Sequence, residues 1–585
     1  MKDFLKFTLA SIIGFLVVLL VLFFMTAGII ASLSKEKTVQ VASQSILEIK
    51  LNYPVSDRTP MSPVPFFSGD LIMPVGLNDI LKNIEKAEKD TRISGIFLNI
   101  SMLQTGIATT TEIRNALEKF KKSGKFIYAY SELYTQKAYY LASVADKIFL
   151  NPMGSLEFKG LNAQVMFYKN LLEKVEVEVQ IIRPEGNKYK SAVEPFFLDQ
   201  MSPASREQTE KYITTIWDSM LEEISLARQL TTDELNKMAD ELTGLDAERA
   251  LQANLVDELY YIDQVYDALD EATGKTPDGK ITSILLAKYR KTTIADKKPY
   301  TADKIAVIYA SGNIVDGKAD ETTVGSVDFI KAIRKARMDD QIKAVVLRVN
   351  SPGGSVVASD VILREMRLLK NAKPVIASYG DVAASGGYYI SCFADTIVAM
   401  PNSITGSIGI FGLFPNMKGL LNNKTGITTD HVSTNKNSGF PDVFNPLNDF
   451  EMQELQRNVT DGYDNFTALV AEGRGMPQEQ VDRIGQGRVW AGKDAITLGL
   501  VDVFGGLNEA IRIAALAANL ENYKIRELPD LKDPLEQIMD MISGNPSEEL
   551  LQNVLGMHYS WFSILKNIET LEGIQARMPY EIIIH

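Results

Sequence analysis

"IKAVVLRVNSPGGS" (342–355) and "KPVIASYGDVAASGGYYISCFADTIVAMP" (373–401) are neighbouring stretches that decide the fold, because related sequence occurs earlier in the chain. Shifting the sequence by 249 residues places 342–401 over 93–152 without a gap. Leu347 then lies over Leu98, and Ile376 lies over Ile127. Self-similarity at so long a spacing indicates two copies of one domain rather than a short-period solenoid.

Both copies follow the same order of apolar patterns. "GIFLNI" and "AVVLRV" read as strands, "TTTEIRNALEKFKKSG" and "VASDVILREMRLLKNA" as helices, and further strands follow. Strands that alternate with helices predict an α/β fold with a mostly parallel sheet. We predict a membrane anchor over 1–38, a first α/β repeat over 39–285, a linker over 286–302, a second α/β repeat over 303–527 and a helical tail over 528–585.

Composition excludes several classes of protein. The formal net charge of −13 and the sequence pI near 5.1 argue against a nucleic-acid-binding protein, which carries a basic patch. The single cysteine, Cys392, excludes an intramolecular disulfide and a cysteine-rich metal site. Its setting, "YYISCFAD", predicts a buried core thiol.

The beginning of the chain is strongly apolar. No charge occurs from Phe7 to Ser34, a run longer than the roughly 20 residues that cross a bilayer. The run is also longer than the apolar part of a cleavable signal, which spans about 7–15 residues. We therefore expect a retained anchor that tethers one soluble body, although the small residues of "AGIIAS" leave cleavage open.

The two copies differ at the turns where parallel α/β folds carry chemistry. "NSPGGSV" (350–356) and "AASGG" (383–387) follow successive strands of the second copy, whereas the first copy has Gln104 and Gln136 over Gly353 and Ser385. Backbone N–H groups at such glycine turns can bind a developing oxyanion, and Ser385 could act as a nucleophile. "GSIGIFG" (406–412) adds a third glycine turn, which is neither a P-loop nor a dinucleotide fingerprint.

A serine nucleophile needs a base, and the residues alone leave its identity open. His431 is the one histidine of the second repeat, and nothing beside it marks a catalytic setting. A lysine serves equally well if burial lowers its pKa from about 10.4 toward 7–8. "GNKYKSAVEPFF" (186–197) offers Lys188 and Lys190.

Four motifs, "LRVNSPGGSV", "AASGGYYIS", "TGSIGIFG" and "KYKSAVEPF", together resemble the signal peptide peptidase A (protease IV) family in its long two-repeat form. The resemblance covers essentially the whole chain except parts of the anchor and tail. It implies a ClpP/crotonase-like fold and a serine peptidase with a Ser/Lys dyad that uses no cofactor.

The resemblance also implies roles for individual residues. Ser385 matches the nucleophile and Lys190, rather than Lys188, the general base. Ser407 matches the hydroxyl that orients the lysine, and Gly353 and Gly386 match the oxyanion-hole donors. The second repeat has Ser438 near the position of Lys190, with Lys436 close by, and the resemblance implies that the lysine comes from one repeat and the serine from the other.

For the whole protein, the resemblance implies an endopeptidase that degrades cleaved signal peptides and other hydrophobic peptides, bound as an added strand. It implies a homotetramer on the outer side of the bacterial cytoplasmic membrane, held by the N-terminal helix. Two other functions stay open: a crotonase-like acyl-CoA enzyme, which would not need Ser385 or Lys190, and a non-catalytic membrane scaffold. Function depends on the site rather than on the fold.

Overall fold

The computed structural model describes residues 39–60, 74–274, 281–294, 301–318, 322–531 and 573–578, with residue 299 and isolated positions between 6 and 21. Three sheets organise this part of the chain. Two of them belong to the two copies, and the third joins residues from both.

The first sheet is built entirely from parallel pairs, as the strand–helix alternation predicts. Its strands are near-continuous apolar runs because helices cover a parallel sheet. In spatial order they are Glu258–Leu259, Lys147–Leu156, Phe126–Tyr134, Ile93–Asn99, Ser45–Ile49 and Ser283–Leu285.

The second copy forms an eight-stranded sheet that is parallel except for one edge pair. Its main path runs through Val489–Ala491, Ile404–Gly406, Val375–Ala384, Ile342–Ser351, Lys304–Ser311 and Lys524–Leu528, and Thr396–Ala399 and Val503–Phe504 lie off this path. The strands that begin at Ile342, Val375 and Thr396 start 249 residues after those at Ile93, Phe126 and Lys147. The predicted tandem α/β duplication is confirmed.

Helices flank these sheets, and two pairs keep the same 249-residue spacing at both ends: Leu77–Lys89 with Ser326–Met338, and Ile107–Lys121 with Val356–Lys370. The others are Gln136–Ala142, Lys169–Val175, Glu194–Phe197, Pro203–Arg228, Thr232–Asp240, Ala247–Gln252, Ile262–Ala272, Leu286–Tyr289, Gly386–Tyr389, Asp449–Arg474, Gln478–Ile484, Gly492–Thr497 and Leu507–Ala517. Buried aliphatic and aromatic residues on the helix faces and strands form the core of each copy.

The third sheet crosses between the copies. In spatial order its strands are Thr323–Gly325, Asn313–Val315, Gly353–Ser355, Gly573–Arg577, Phe411–Asn416 and Glu178–Ile182. The last of these comes from the first half of the chain and pairs antiparallel with Phe411–Asn416 of the second. The segment that follows Glu178–Ile182 is therefore brought against the second copy.

A buried ion cluster also ties the two copies together. Arg348, on a central strand of the second copy, is fully buried. Its Nε lies 2.8 Å from Asp57 Oδ1, and its Nη2 lies 2.7 Å from Glu112 Oε1, both carboxylates coming from the first copy. Glu112 also accepts a hydrogen bond of 2.7 Å from the backbone N–H of Leu507. The cluster links the two copies through charged side chains that are all buried.

Replacing Arg348 by methionine should lower the free energy of unfolding by about 3–5 kcal/mol, because two buried carboxylates lose their counter-ion. Urea unfolding followed by fluorescence would measure the change. Arg512→Met provides the matched control, since Arg512 pairs with Glu509 on the surface and such pairs contribute about 0–1 kcal/mol. Equal losses in the two variants would contradict a coupling role for the cluster.

The anchor over 1–38 lies largely outside the described residues, and among those that are described no helix is long and apolar enough to cross a bilayer.

The tail over 528–585 was expected to be helical. Residues 532–572 lie outside the described residues, but Gly573–Arg577 is a strand, so the helical prediction is wrong there. Its backbone pairs with two strands that are distant in sequence, and this pairing overrides local preference.

Candidate active site

Ser385 lies in a sharp turn between the strand Val375–Ala384 and the short helix Gly386–Tyr389. Its φ of 53° is in the left-handed region, which a non-glycine residue enters only at a cost. The backbone N–H of Ser385 donates to Gly406 O at 2.8 Å, and this bond holds the turn. Strained residues of this kind concentrate at functional sites.

Lys190 reaches this turn from the other copy. It follows the strand Glu178–Ile182, which is already paired to the second copy, and it is fully buried. Two residues just before it bond to the second copy: Tyr189 N donates to Gln486 O at 3.0 Å, and Asn187 Nδ2 donates to Ile410 O at 3.2 Å. The lysine segment is therefore fixed to the second copy by contacts other than those of the Lys190 side chain.

The amine of Lys190 is held by three oxygens. Its Nζ lies 2.8 Å from Ser385 Oγ, 3.0 Å from Ser407 Oγ and 3.1 Å from Ser407 O. Ser385 and Ser407 are both fully buried. The amine is thus oriented by Ser407 and lies at hydrogen-bonding distance from the Ser385 hydroxyl, the geometry that a general base requires.

Electrostatics favour the neutral amine. Burial lowers the pKa of Lys190 well below the usual value of a lysine, because the charged form loses its hydration. The hydroxyl and carbonyl groups around Nζ satisfy hydrogen bonds without supplying a negative charge. A neutral amine can accept the proton of Ser385, whereas an ammonium ion cannot.

Activity should therefore rise with pH as Lys190 deprotonates. Below its pKa in the folded protein the base is protonated, and kcat/KM should fall about tenfold for each pH unit; above that pKa a plateau is expected. Because burial lowers this pKa, the midpoint should lie well below 10.4, the ordinary lysine value. Initial rates of peptide hydrolysis at constant ionic strength would locate the midpoint. A profile without this ionisation would exclude Lys190 as the base.

Close packing around Lys190 requires glycine at position 487. Gly487 has a φ of 79°, and a Cβ there would lie 2.5 Å from Lys190 Cβ and 2.7 Å from Lys190 Cα. A side chain would therefore push the lysine backbone away from Ser385. Gln208 supports the same segment, because its Nε2 donates to Tyr189 O at 2.9 Å and its Oε1 accepts from Val489 N at 3.1 Å. Neither residue was singled out from the sequence. For Gly487, the available signal was the glycine pair in "GQGR" (485–488).

Gly353 and Gly386 lie side by side at the serine turn. A Cβ on Gly386 would be 3.0 Å from Gly353 Cα, and a Cβ on Gly353 would be 2.6 Å from Gly386 N. The Gly353 N–H donates to Ser351 Oγ at 3.1 Å, a bond that it would exchange for an oxyanion. Two adjacent glycine N–H groups next to a serine are the components of an oxyanion hole.

The strand Gly573–Arg577 lies over this pair of glycines. It runs antiparallel to Gly353–Ser355 on one side and to Phe411–Asn416 on the other. The site is therefore a groove between two strand edges. The backbone that fits between these edges is that of an extended peptide. Such strand addition is a general mode of peptide binding.

The remaining candidates from the sequence do not meet at this site. Lys188 is exposed, and its Nζ lies 5.1 Å from the ring centroid of Tyr189. His431, Lys436 and Ser438 are exposed as well. Cys392 is a buried core thiol as predicted, and burial raises its pKa to about 12.

In the first copy, the corresponding turn has a structural function. Gln136, which replaces the serine, accepts hydrogen bonds from Lys159 N and Gly160 N at 2.9 and 3.0 Å. Lys137, in the position of Gly386, donates to Thr105 O at 2.8 Å. These side chains tie loops together, so the first copy contributes the lysine and not a second serine site.

The chain is similar to several known peptidases. The model for peptidase family S49 matches residues 119–275 and 367–521, and the model for Clp protease matches 301–405. The chain is 38% identical over 510 residues to Protease 4 of Salmonella typhi, which covers 84% of this chain and 80% of that protein. It is 37% identical over 455 residues to Protease 4 of Haemophilus influenzae, with 75% and 73% covered. It is 33% identical over 549 residues to the chloroplastic serine protease SPPA of Arabidopsis thaliana, with 92% and 78% covered.

Proposed function

This chain belongs to peptidase family S49 and is a serine peptidase, and from that premise we propose that Ser385 and Lys190 form its catalytic dyad. One observation carries the proposal: the buried amine of Lys190 lies 2.8 Å from Ser385 Oγ, although the two residues are 195 positions apart in sequence. A buried lysine that only packed into the core would not meet a strained serine at this distance.

In the first half of the reaction, neutral Lys190 takes the proton of Ser385 as the Ser385 oxygen attacks the carbonyl carbon of the scissile peptide bond. The N–H groups of Gly353 and Gly386 stabilise the oxyanion, a contribution of about 3–4 kcal/mol for each donor. The carbon–nitrogen bond then breaks, and the lysine gives its proton to the leaving amine. The product is an acyl-enzyme ester on Ser385.

In the second half, water enters where the amine has left. Lys190 removes a proton from the water, whose oxygen attacks the ester carbon, and the Ser385 oxygen leaves and recovers its proton from the lysine. Ser407 positions the amine through both halves, because its hydroxyl and carbonyl oxygens hold Nζ at 3.0 and 3.1 Å. No metal or organic cofactor takes part in these steps.

The substrate class that we propose is extended hydrophobic peptides, including cleaved signal peptides. The strand Gly573–Arg577 pairs with both Gly353–Ser355 and Phe411–Asn416, which supports binding of an extended backbone at these edges, and the motif resemblance supports the substrate class. We also propose that the uncharged run from Phe7 to Ser34 anchors the chain in the bacterial cytoplasmic membrane, with the peptidase on the outer side as a homotetramer.

Fluorophosphonate labelling of the full chain in detergent, followed by peptide mapping between pH 6 and 9, tests the dyad. We expect label on Ser385, with a yield that rises with pH, and no label on Lys190→Met. An acyl-CoA enzyme would remain unlabelled and would turn over a thioester. Absence of both labelling and peptide hydrolysis in a folded protein would favour a scaffold.

A further inference from the structure

The turn that contains Arg488 bonds to the backbone on both sides of the Lys190 amine. Arg488 O accepts the backbone N–H of Ser407 at 2.6 Å, and Gln486 O accepts the backbone N–H of Tyr189 at 3.0 Å. Ser407 is the residue whose oxygens orient the amine, and Tyr189 directly precedes the lysine. One turn of the second copy therefore holds the two residues on which the position of Nζ depends.

The side chain of Arg488 lies between two aromatic rings. Its Cζ is 4.5 Å from the ring centroid of Tyr189 and 4.4 Å from that of Trp490. Its Nη1 donates to the hydroxyl oxygen of Tyr189 at 2.9 Å, and its Nη2 lies 2.9 Å from Glu207 Oε1. A planar guanidinium group can stack on rings and donate from its rim at the same time. The side chain is 16% exposed, so most of these contacts are shielded from water.

These contacts on Tyr189 restrict the lysine that follows it. The Lys190 amine must keep its 2.8 Å distance from Ser385 Oγ to take the serine proton. The lysine segment belongs to the first copy and the serine turn to the second, so this distance depends on how firmly the two are joined. A displacement of about 1 Å in a catalytic group can cost about 100-fold in rate.

We propose that Arg488 is a positioning residue for peptide hydrolysis, because its guanidinium group fixes Tyr189 and thereby keeps Lys190 within reach of Ser385. Arg488 lies in "GQGRVWAG" (485–492), outside the four motifs that carry the family resemblance. It acts through Tyr189 and Lys190 and does not take part in proton transfer. The inference rests on the proposed function, because it requires Lys190 to be the base.

The protonation of Lys190 reports on this packing. Its amine faces the hydroxyl of Ser385 and the hydroxyl and carbonyl groups of Ser407, and burial is what lowers its pKa. The charged or titratable side chains on the segments packed around it are Lys188, Tyr189, Glu194, Glu207 and Arg488. If the lysine segment loosens, water reaches the amine and its pKa rises toward the usual lysine value.

The test compares Arg488→Met with the wild type as full chains in detergent, with a fluorogenic peptide of small apolar residues, between pH 6 and 10. We expect kcat to fall about 10-fold, KM to stay within about twofold, and the midpoint of the pH–rate profile to rise by at least about 0.5 unit. A smaller folded fraction would lower the rate at every pH and leave the midpoint in place. Arg483→Met makes the same exchange at an exposed position and should match the wild type.

Two milder variants separate the guanidinium group from its charge and keep the test decisive if Arg488→Met is unstable. Arg488→Lys keeps the charge and lacks the plane that lies between the rings, so it should recover less than about half of the lost rate. Tyr189→Phe keeps the ring and loses the acceptor of Nη1, and should lower kcat about 3-fold. Added to Arg488→Met, it should cause no further loss, because both changes break the same contact.

The outcomes distinguish this inference from the proposed function. An unchanged midpoint in Arg488→Met, or full recovery in Arg488→Lys, would overturn the positioning role of the guanidinium group. Additive losses in the double variant would do the same, because Arg488 would then not act through Tyr189. Lys190→Met is assayed in parallel. If it is inactive while Arg488→Met behaves like the wild type, only this inference fails. If Lys190→Met keeps its activity, the proposed base is wrong and the proposed function fails with it.

Discussion

Lys190→Met is expected to lower kcat/KM for peptide hydrolysis by about 10⁴-fold, the upper end of the contribution of a general base. Methionine keeps most of the volume of the lysine and removes only the amine, which lies 2.8 Å from Ser385 Oγ. The loss should appear in kcat, because the amine acts in the transition state and does not line the groove that binds the peptide. Steady-state kinetics with a fluorogenic peptide would measure it.

Lys188→Met is the matched control, since Lys188 lies two positions away and is exposed. We expect its kcat/KM to remain within about twofold of the wild type, in line with the small effects of surface substitutions. Equal losses in the two variants would remove the distinction between the lysines and with it the assignment of the base.

Lys190→Met should also raise the free energy of unfolding. An unfolded lysine has a pKa near 10.4 and burial lowers the folded value, so at any pH between the two values folding releases a proton from Lys190. The unfolded state then binds more protons, and the free energy of unfolding of the wild type rises with pH between the two pKa values. Lys190→Met removes this cost, and we expect a gain of about 1 kcal/mol at pH 7 that shrinks toward pH 10.

Gly353→Ala is expected to lower kcat/KM by about 10³-fold, as does the loss of one oxyanion-hole donor. The added Cβ would lie 2.1 Å from Ala576 O and 2.6 Å from Gly386 N, inside the proposed oxyanion hole. The φ of 100° adds backbone strain that a non-glycine residue does not tolerate well.

Gly124→Ala separates the two effects in Gly353→Ala. Gly124 has a φ of 83°, and a Cβ there would meet nothing within 4 Å. It therefore introduces the left-handed strain without blocking the groove. We expect Gly124→Ala to lose stability and keep its kcat/KM, and a comparable fall in kcat/KM would show that strain alone explains the Gly353 result.

The sequence predicted the tandem α/β fold because the repeat preserves local patterns. The helix Ile107–Lys121 and its counterpart Val356–Lys370 keep the 249-residue spacing at both ends, as the aligned apolar positions require. The strand at Gly573–Arg577 was missed for the opposite reason. "GIQAR" has no periodicity that predicts a strand, and its conformation comes from two edges more than 150 residues away.

The sequence predicted the types of residue that form the candidate site. It did not predict the residues that hold them in place. Ser385 and Gly353 were found because the first copy has lost both, a comparison within one chain. Residue chemistry alone could not choose between Lys188 and Lys190, because the choice depends on which side chain is buried against the other copy. Gly487 and Gln208 were missed because each acts through a contact that exists only after the two copies pack together.

The origin of the lysine and the serine in different copies has a consequence for biosynthesis. A chain that emerges from the ribosome contains Lys190 long before Ser385, since 195 residues separate them. At about 5–20 residues per second, that interval lasts about 10–40 s. Throughout that interval the nascent chain lacks the proposed dyad and cannot cleave neighbouring chains by it. The duplicated architecture thus delays the proposed activity until at least about two thirds of the 585-residue chain has been made.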